Sequence, residues 1–161
     1  MANTQSMCTS FLGELLSASH NFSSANPAQT ASTANTFKAA LYTTTASPAI
    51  NAATTAYSAT GEVSGTGYTA GGVTVTNATN PASTNSSATA GVGYWTPSGN
   101  LVYTTVTLTT AFDAVLIYNS TQSNKAVSVH TFGSQTITAG TFTLTMPSNT
   151  TTTALLRLST T

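Results

Sequence analysis

Charge is what this chain most conspicuously lacks. Three Lys or Arg and three Asp or Glu occur among 161 residues, so charged side chains make up 4% and the formal net charge is zero. An ordinary globular domain carries about 25%. The ionic residues are Lys38, Lys125, Arg157, Glu14, Glu62 and Asp113. Three scattered cations cannot neutralise a row of phosphates, so no nucleic-acid partner is expected. The same shortage argues against an enzyme, because acid–base chemistry needs ionisable groups gathered in one place. Two histidines and three carboxylates spread along the chain show no metal-ligand spacing, and no cofactor is expected. A single cysteine, Cys8, excludes an internal disulfide; it suits a small apolar filler near a helix start. No apolar run approaches a membrane-spanning length. The opening MANTQSMCTSFLGELLSASH has neither a basic n-region nor a continuous apolar h-region, so no secretory signal is expected.

Threonine is abundant instead, at more than a fifth of the residues. It is β-branched and stiff at χ1, which favours strands. Leu, Ile, Val and Phe together fall just under a fifth, a lean core for a domain of this length. Such a core gains from a partner subunit. A surface of hydroxyls and amides at zero net charge also tends to associate. Five Asn-X-Ser/Thr sequons, at Asn21, Asn77, Asn85, Asn119 and Asn149, arise by chance in so Asn- and Thr-rich a chain.

The hydrophobic pattern divides the chain into short elements. Residues 1–8 read as an extended arm. TSFLGELLSASHNF, 9–22, places Phe11, Leu12, Leu15 and Leu16 on one helical face. Thr9 or Ser10 is positioned to cap it, and Glu14 to favour its dipole. Residues 1–22 therefore form an arm with a short helix, and 23–161 a single β domain. SSANPAQTASTAN, 23–35, reads as a polar linker. TFKAALYTT, 36–44, alternates as a strand. ASPAINAATTAYSATGEVSGTGYTAGG, 46–72, is loop-rich; its glycines lack the spacing and GK[ST] ending of phosphate loops. GVTVTNA, 72–78, is a short strand, and 79–91 a second polar loop. In LVYTTVTLTTA, Val102, Val106 and Leu108 share a parity that reads as the core face. QTITAGTFTLTMP, 135–147, reads as two short strands or one bent at Ala139-Gly140. TALLRLSTT closes the chain with Ala154, Leu156 and Leu158 on one face. About eight short strands with polar turns predict an antiparallel β-sandwich, jelly-roll or immunoglobulin-like, with one N-terminal helix.

AFDAVLIYNSTQSNKAVSVHTFG, 111–133, carries an acid, a histidine and several serines, the components of a hydrolytic triad. It lacks a strained nucleophile elbow. Its alternation predicts a hairpin around STQSNK. Val115 and Ile117 are expected to pack with Val127 and Val129, His130 to be half-exposed, and Asp113 to cap a turn or pair with Lys125. The single Trp95, beside Tyr94 and Pro97, reads as a core or turn aromatic, with a sugar platform as the alternative.

Three stretches, TFKAALYTT, TTAYSATGEVSGTGYTAGGVTVTN and TAFDAVLIYNSTQSNKAVSVHTFGSQTITAGTFTLTMP, resemble a family of small tailed-bacteriophage virion structural proteins. The resemblance runs from about Cys8 to Arg157 and carries no catalytic signature. It implies a capsid decoration, or cement, protein: a virion component on the capsid surface, assembled in the host cytoplasm. The major capsid protein is then the expected partner, with self-association as a homotrimer. Phe11, Leu12, Leu15 and Leu16 are the expected docking residues, or the core beneath the docking surface. A tail or neck component is the structural alternative, and a carbohydrate-binding attachment module using Trp95 the alternative of another class.

Overall fold

The computed structural model describes residues 2–23, 34–77, 79–84 and 91–160. It is built from strands β1 (Ser6–Met7), β2 (Phe37–Thr43), β3 (Val73–Thr74), β4 (Ala82–Ser83), β5 (Val92–Trp95), β6 (Leu101–Asn119), β7 (Lys125–Leu144) and β8 (Leu156–Ser159). One helix, α1 (Thr9–Leu16), follows β1. A five-stranded sheet has the order β1-β7-β6-β2-β3, and a three-stranded sheet the order β4-β5-β8. All pairings are antiparallel. The expected all-β fold with one short helix is the observed one. Most of the polar 23–35 linker lies outside the described residues.

The β6–β7 hairpin dominates the larger sheet. Each of its strands is about three times as long as the usual five or six residues. Such length is tolerated because the ladder is repeatedly broken. Five register irregularities interrupt it between Leu101 and Asn119. One of them overturns the expected parity. Tyr103 pairs with Phe142, but the next pair is Val106 with Gly140, so β6 spends three residues against two. Thr105 takes up the extra residue at φ 53°. A bulge shifts every later side chain to the other face. Leu101 and Tyr103 are therefore buried along with Val106 and Leu108, while Val102 is exposed. In the same way Ala139, at φ 47°, bends β7 without ending it, so 135–144 belongs to one strand.

The apolar run Ala114-Val115-Leu116-Ile117-Tyr118 is buried on both faces of the sheet. One face meets the smaller sheet through aromatic contacts: Phe22 stacks on Phe37 with centroids 4.4 Å apart and lies 4.7 Å from Trp95. The other face is crossed by residues 44–72. This segment hydrogen-bonds the edge of β7 through Ala126 N–H to the Thr55 carbonyl. At the opposite edge Val63 N–H bonds the Leu41 carbonyl of β2. Between these edges Tyr57 stacks on Tyr118 at 4.6 Å, and the Tyr42 hydroxyl donates to the Ser58 carbonyl. The loop-rich stretch is thus a third packed layer. Gly72 marks where it comes closest, for a Cβ there would sit 1.7 Å from the Ala39 carbonyl oxygen, at a φ of +73°.

The register also corrects the expected hairpin packing. Val115 pairs with His130 and Ile117 with Ser128, whereas Leu116 pairs with Val129. Directly opposed residues share a face. Val129 therefore packs with Leu116, not with Val115 and Ile117. Lys125 opens β7 and is not part of the turn.

The N-terminal segment is stitched into this body. Ser6 pairs with Val129 and Met7 with Ser128, and Cys8, Phe11 and Phe22 join the one core cluster. Residues 2–22 read as an arm in sequence but form an edge strand and a packed helix in space.

Candidate functional site: the outer face of the N-terminal helix

The helix is shorter than its pattern suggested. It stops at Leu16 because Ala18 enters the left-handed region at φ 56°. Ser19 N–H then bonds the Glu14 carbonyl at 2.9 Å, and Ala18 N–H the Leu15 carbonyl at 3.1 Å. This is a Schellman closure, normally built on glycine. The start is not capped by Thr9 or Ser10. Cys8 occupies the cap position without a side-chain bond. Neighbouring elements hold the entry: Cys8 N–H bonds the Val127 carbonyl, and Thr9 N–H bonds the Ala52 carbonyl. Cys8 is fully buried, as expected of a filler, and burial first and Glu14 second push its thiol up to about 12. Glu14 lies in the last turn, where the dipole does not favour it. It instead pairs with His20 at 2.8 Å and with Lys125 at 3.3 Å, binding the helix to the start of β7.

The four expected apolar residues separate into two pairs. Phe11 is 1% exposed and edge-on to His20 and Phe22. Leu15 is half-buried against the core. Leu12 and Leu16 point away, at 46% and 92% exposure. One helical turn separates them, so they form a single apolar ridge. Beside the helix runs an apolar groove of about 350 Å³, whose lining includes Met7, Leu15, Phe22, Trp95 and Leu158. Leu158 is itself 45% exposed, so the groove reaches the surface. Among the described residues most other exposed side chains are threonine, serine or alanine, and Leu12 and Leu16 are two of the four large apolar side chains left exposed.

The candidate chemical groups are distributed elsewhere and engaged. Asp113 accepts a hydrogen bond from Asn3 Nδ2 at 2.7 Å, and does not pair with Lys125. Ser128 Oγ lies 2.9 Å from His130 Nε2, but Ser128 is only 1% exposed, too buried to attack a substrate. Burial holds His130 well below the ordinary imidazole range, at about 4. Glu62 accepts bonds from the Tyr57 hydroxyl at 2.6 Å, the Tyr68 hydroxyl at 2.8 Å and Gly71 N–H at 2.7 Å. The three carboxylates thus sit in three separate networks. Among the described residues no three His, Cys, Asp or Glu side chains gather into a metal-binding group. Trp95 is 3% exposed, with its indole N–H donated to the Thr79 carbonyl at 2.9 Å. It is a core aromatic whose ring packs against Phe22 and Phe37.

No protein-family model, curated protein or solved structure matches the chain. The fold and this surface together define a charge-poor, all-β protein with one apolar helical ridge.

Proposed function

We propose that this chain is a non-enzymatic structural subunit of a tailed-bacteriophage virion, a capsid decoration protein that binds and stabilises the major capsid shell. The observation that carries the reading is the pair Leu12 and Leu16, left exposed on a helix whose other face is locked into the core. An apolar ridge beside an open groove is the kind of surface that binding covers. The near absence of charge supports it further. An interface without ion pairs is little weakened by salt, which suits a protein that must stay bound as ionic strength changes. The reading includes a location on the capsid surface, assembly in the host cytoplasm and self-association as a homotrimer.

Copy number tests the reading. Purified particles are resolved on a stained gel and the band is compared with that of the major capsid protein. A copy number of the same order supports decoration. A few copies per particle place the chain in the tail or neck, and absence from particles removes the virion reading altogether.

A further inference from the structure

Beneath α1 lies a buried histidine whose two ring nitrogens have fixed and different partners. The His20 side chain is 0% exposed. Its Nε2 is 2.8 Å from Glu14 Oε2. A carboxylate only accepts, so Nε2 carries the proton. Its Nδ1 lies 3.1 Å from Asn119 Nδ2. The Asn119 amide cannot turn over freely. Its Oδ1 accepts the Thr121 and Gln122 N–H groups at 3.1 and 3.2 Å, which shape the β6–β7 turn. Its Nδ2 also donates to Asn35 Oδ1 at 2.8 Å, and that oxygen takes the Asn21 N–H. Nδ1 must therefore accept, and His20 is held as the neutral Nε2–H tautomer.

We propose that this network is an acid-sensitive latch, in which protonation of His20 frees α1 and the segment behind it from the β6–β7 turn. A proton on Nδ1 would point at the Asn119 NH₂, donor against donor. Turning the amide over would aim that NH₂ at the two backbone N–H groups that hold the turn. Either the imidazole leaves or the turn opens. The charged and titratable groups facing His20 are few. Glu14 comes from α1, Lys125 from β7, and the Cys8 thiol stays uncharged. From β2 comes the Phe37 ring, and from the 21–23 segment the Phe22 ring. Burial lowers the affinity of His20 for a proton, and the Glu14 bond opposes this only in part.

The sign follows from that difference. In the latched state His20 binds a proton less readily than in the open state, where its pKa is near the ordinary 6.5. Above that value opening is independent of pH. Below it the open population rises as pH falls, by at most about tenfold per pH unit for one proton.

Amide exchange read by NMR tests the latch, with rates corrected for intrinsic pH dependence. The reporters are Ser17, Ser19, Thr121 and Gln122. Wild type is expected to lose their protection as pH falls, by up to about sixteenfold between pH 6.5 and 5. His20→Gln, whose amide can donate to Glu14 and accept from Asn119, is expected to keep it. Flat protection in wild type, or the same loss in His20→Gln, overturns the proposal. Should that variant not fold, the ring signals of His20 in wild type decide. Titration that coincides with the loss of protection supports the latch, and titration without it overturns it.

Discussion

Replacing Leu12 and Leu16 together by glutamine removes the apolar ridge while keeping good helix formers. Leu16 is almost wholly exposed and Leu12 about half, so little native packing is lost. Folding stability should change by no more than about 0.5 kcal/mol. Binding should change much more. Full burial of a leucine is worth about 1.5–3 kcal/mol relative to exposure. One nearly full and one partial burial give about 2–4 kcal/mol per subunit. Each 1.4 kcal/mol is tenfold in affinity, so the variant should bind particles roughly a hundredfold more weakly. The assay adds purified protein to particles stripped of it and measures the bound fraction by sedimentation across a concentration series. Urea unfolding of the free variant confirms that it is folded. A folded variant with wild-type affinity would refute the docking role of this face. Leu15 is unsuitable for the same test, because it is packed against the core and its loss would damage the fold.

Other consequences concern the scaffold. Gly72→Ala should destabilise by about 3 kcal/mol or more. Left-handed strain costs about 1–2 kcal/mol, and lifting the segment also threatens the hydrogen bond from Tyr118 to the neighbouring Gly71 carbonyl. Gly133→Ala, whose Cβ meets nothing within 4 Å, is the control, expected to be neutral or slightly stabilising in urea unfolding. Ala18→Gly should stabilise by up to about 1 kcal/mol, since the left-handed Schellman position then carries no Cβ penalty; thermal unfolding reads this directly. The protein should be fully stable above pH 6.5 and weaken as pH falls toward 4. His130 is held neutral when folded and takes up a proton when unfolded, worth at most about 3 kcal/mol. Chemical denaturation of wild type and His130→Gln across that range checks it, with a shallower slope expected in the variant. Leu101→Ala should cost about 2–4 kcal/mol and Val102→Ala less than about 1; equal losses would contradict the bulge at Thr105.

The fold class was legible because threonine abundance and short alternating runs leave few alternatives to antiparallel strands. Cys8 as a buried filler and the Phe37–Thr43 strand followed from local pattern. What escaped the pattern has definite physical causes. Ala18 and Thr105 adopt left-handed backbone without being glycine, so neither the helix end nor the parity switch left a mark. The run from Ala114 to Tyr118 announced burial, but not that residues 44–72 supply the second cover. That layer is held by tyrosine hydroxyls, the Glu62 carboxylate and close glycine contacts, rather than by a hydrophobic period. The hairpin register depends on an irregular ladder that only the paired strands reveal. At the candidate site, the sequence predicted the helix but assigned its four apolar residues to one face. The early stop at Leu16 and the pull of Phe11 and Leu15 into the core turn Leu12 and Leu16 outward.

The most direct test is a cryo-EM reconstruction of the mature particle, carried to a resolution that shows side chains. Density for this chain is expected on the capsid surface, with α1 lying against the major capsid protein and Leu12 and Leu16 buried at the contact. Density on the shell with α1 facing solvent would contradict the docking face, and no density on the shell would contradict the decoration role itself.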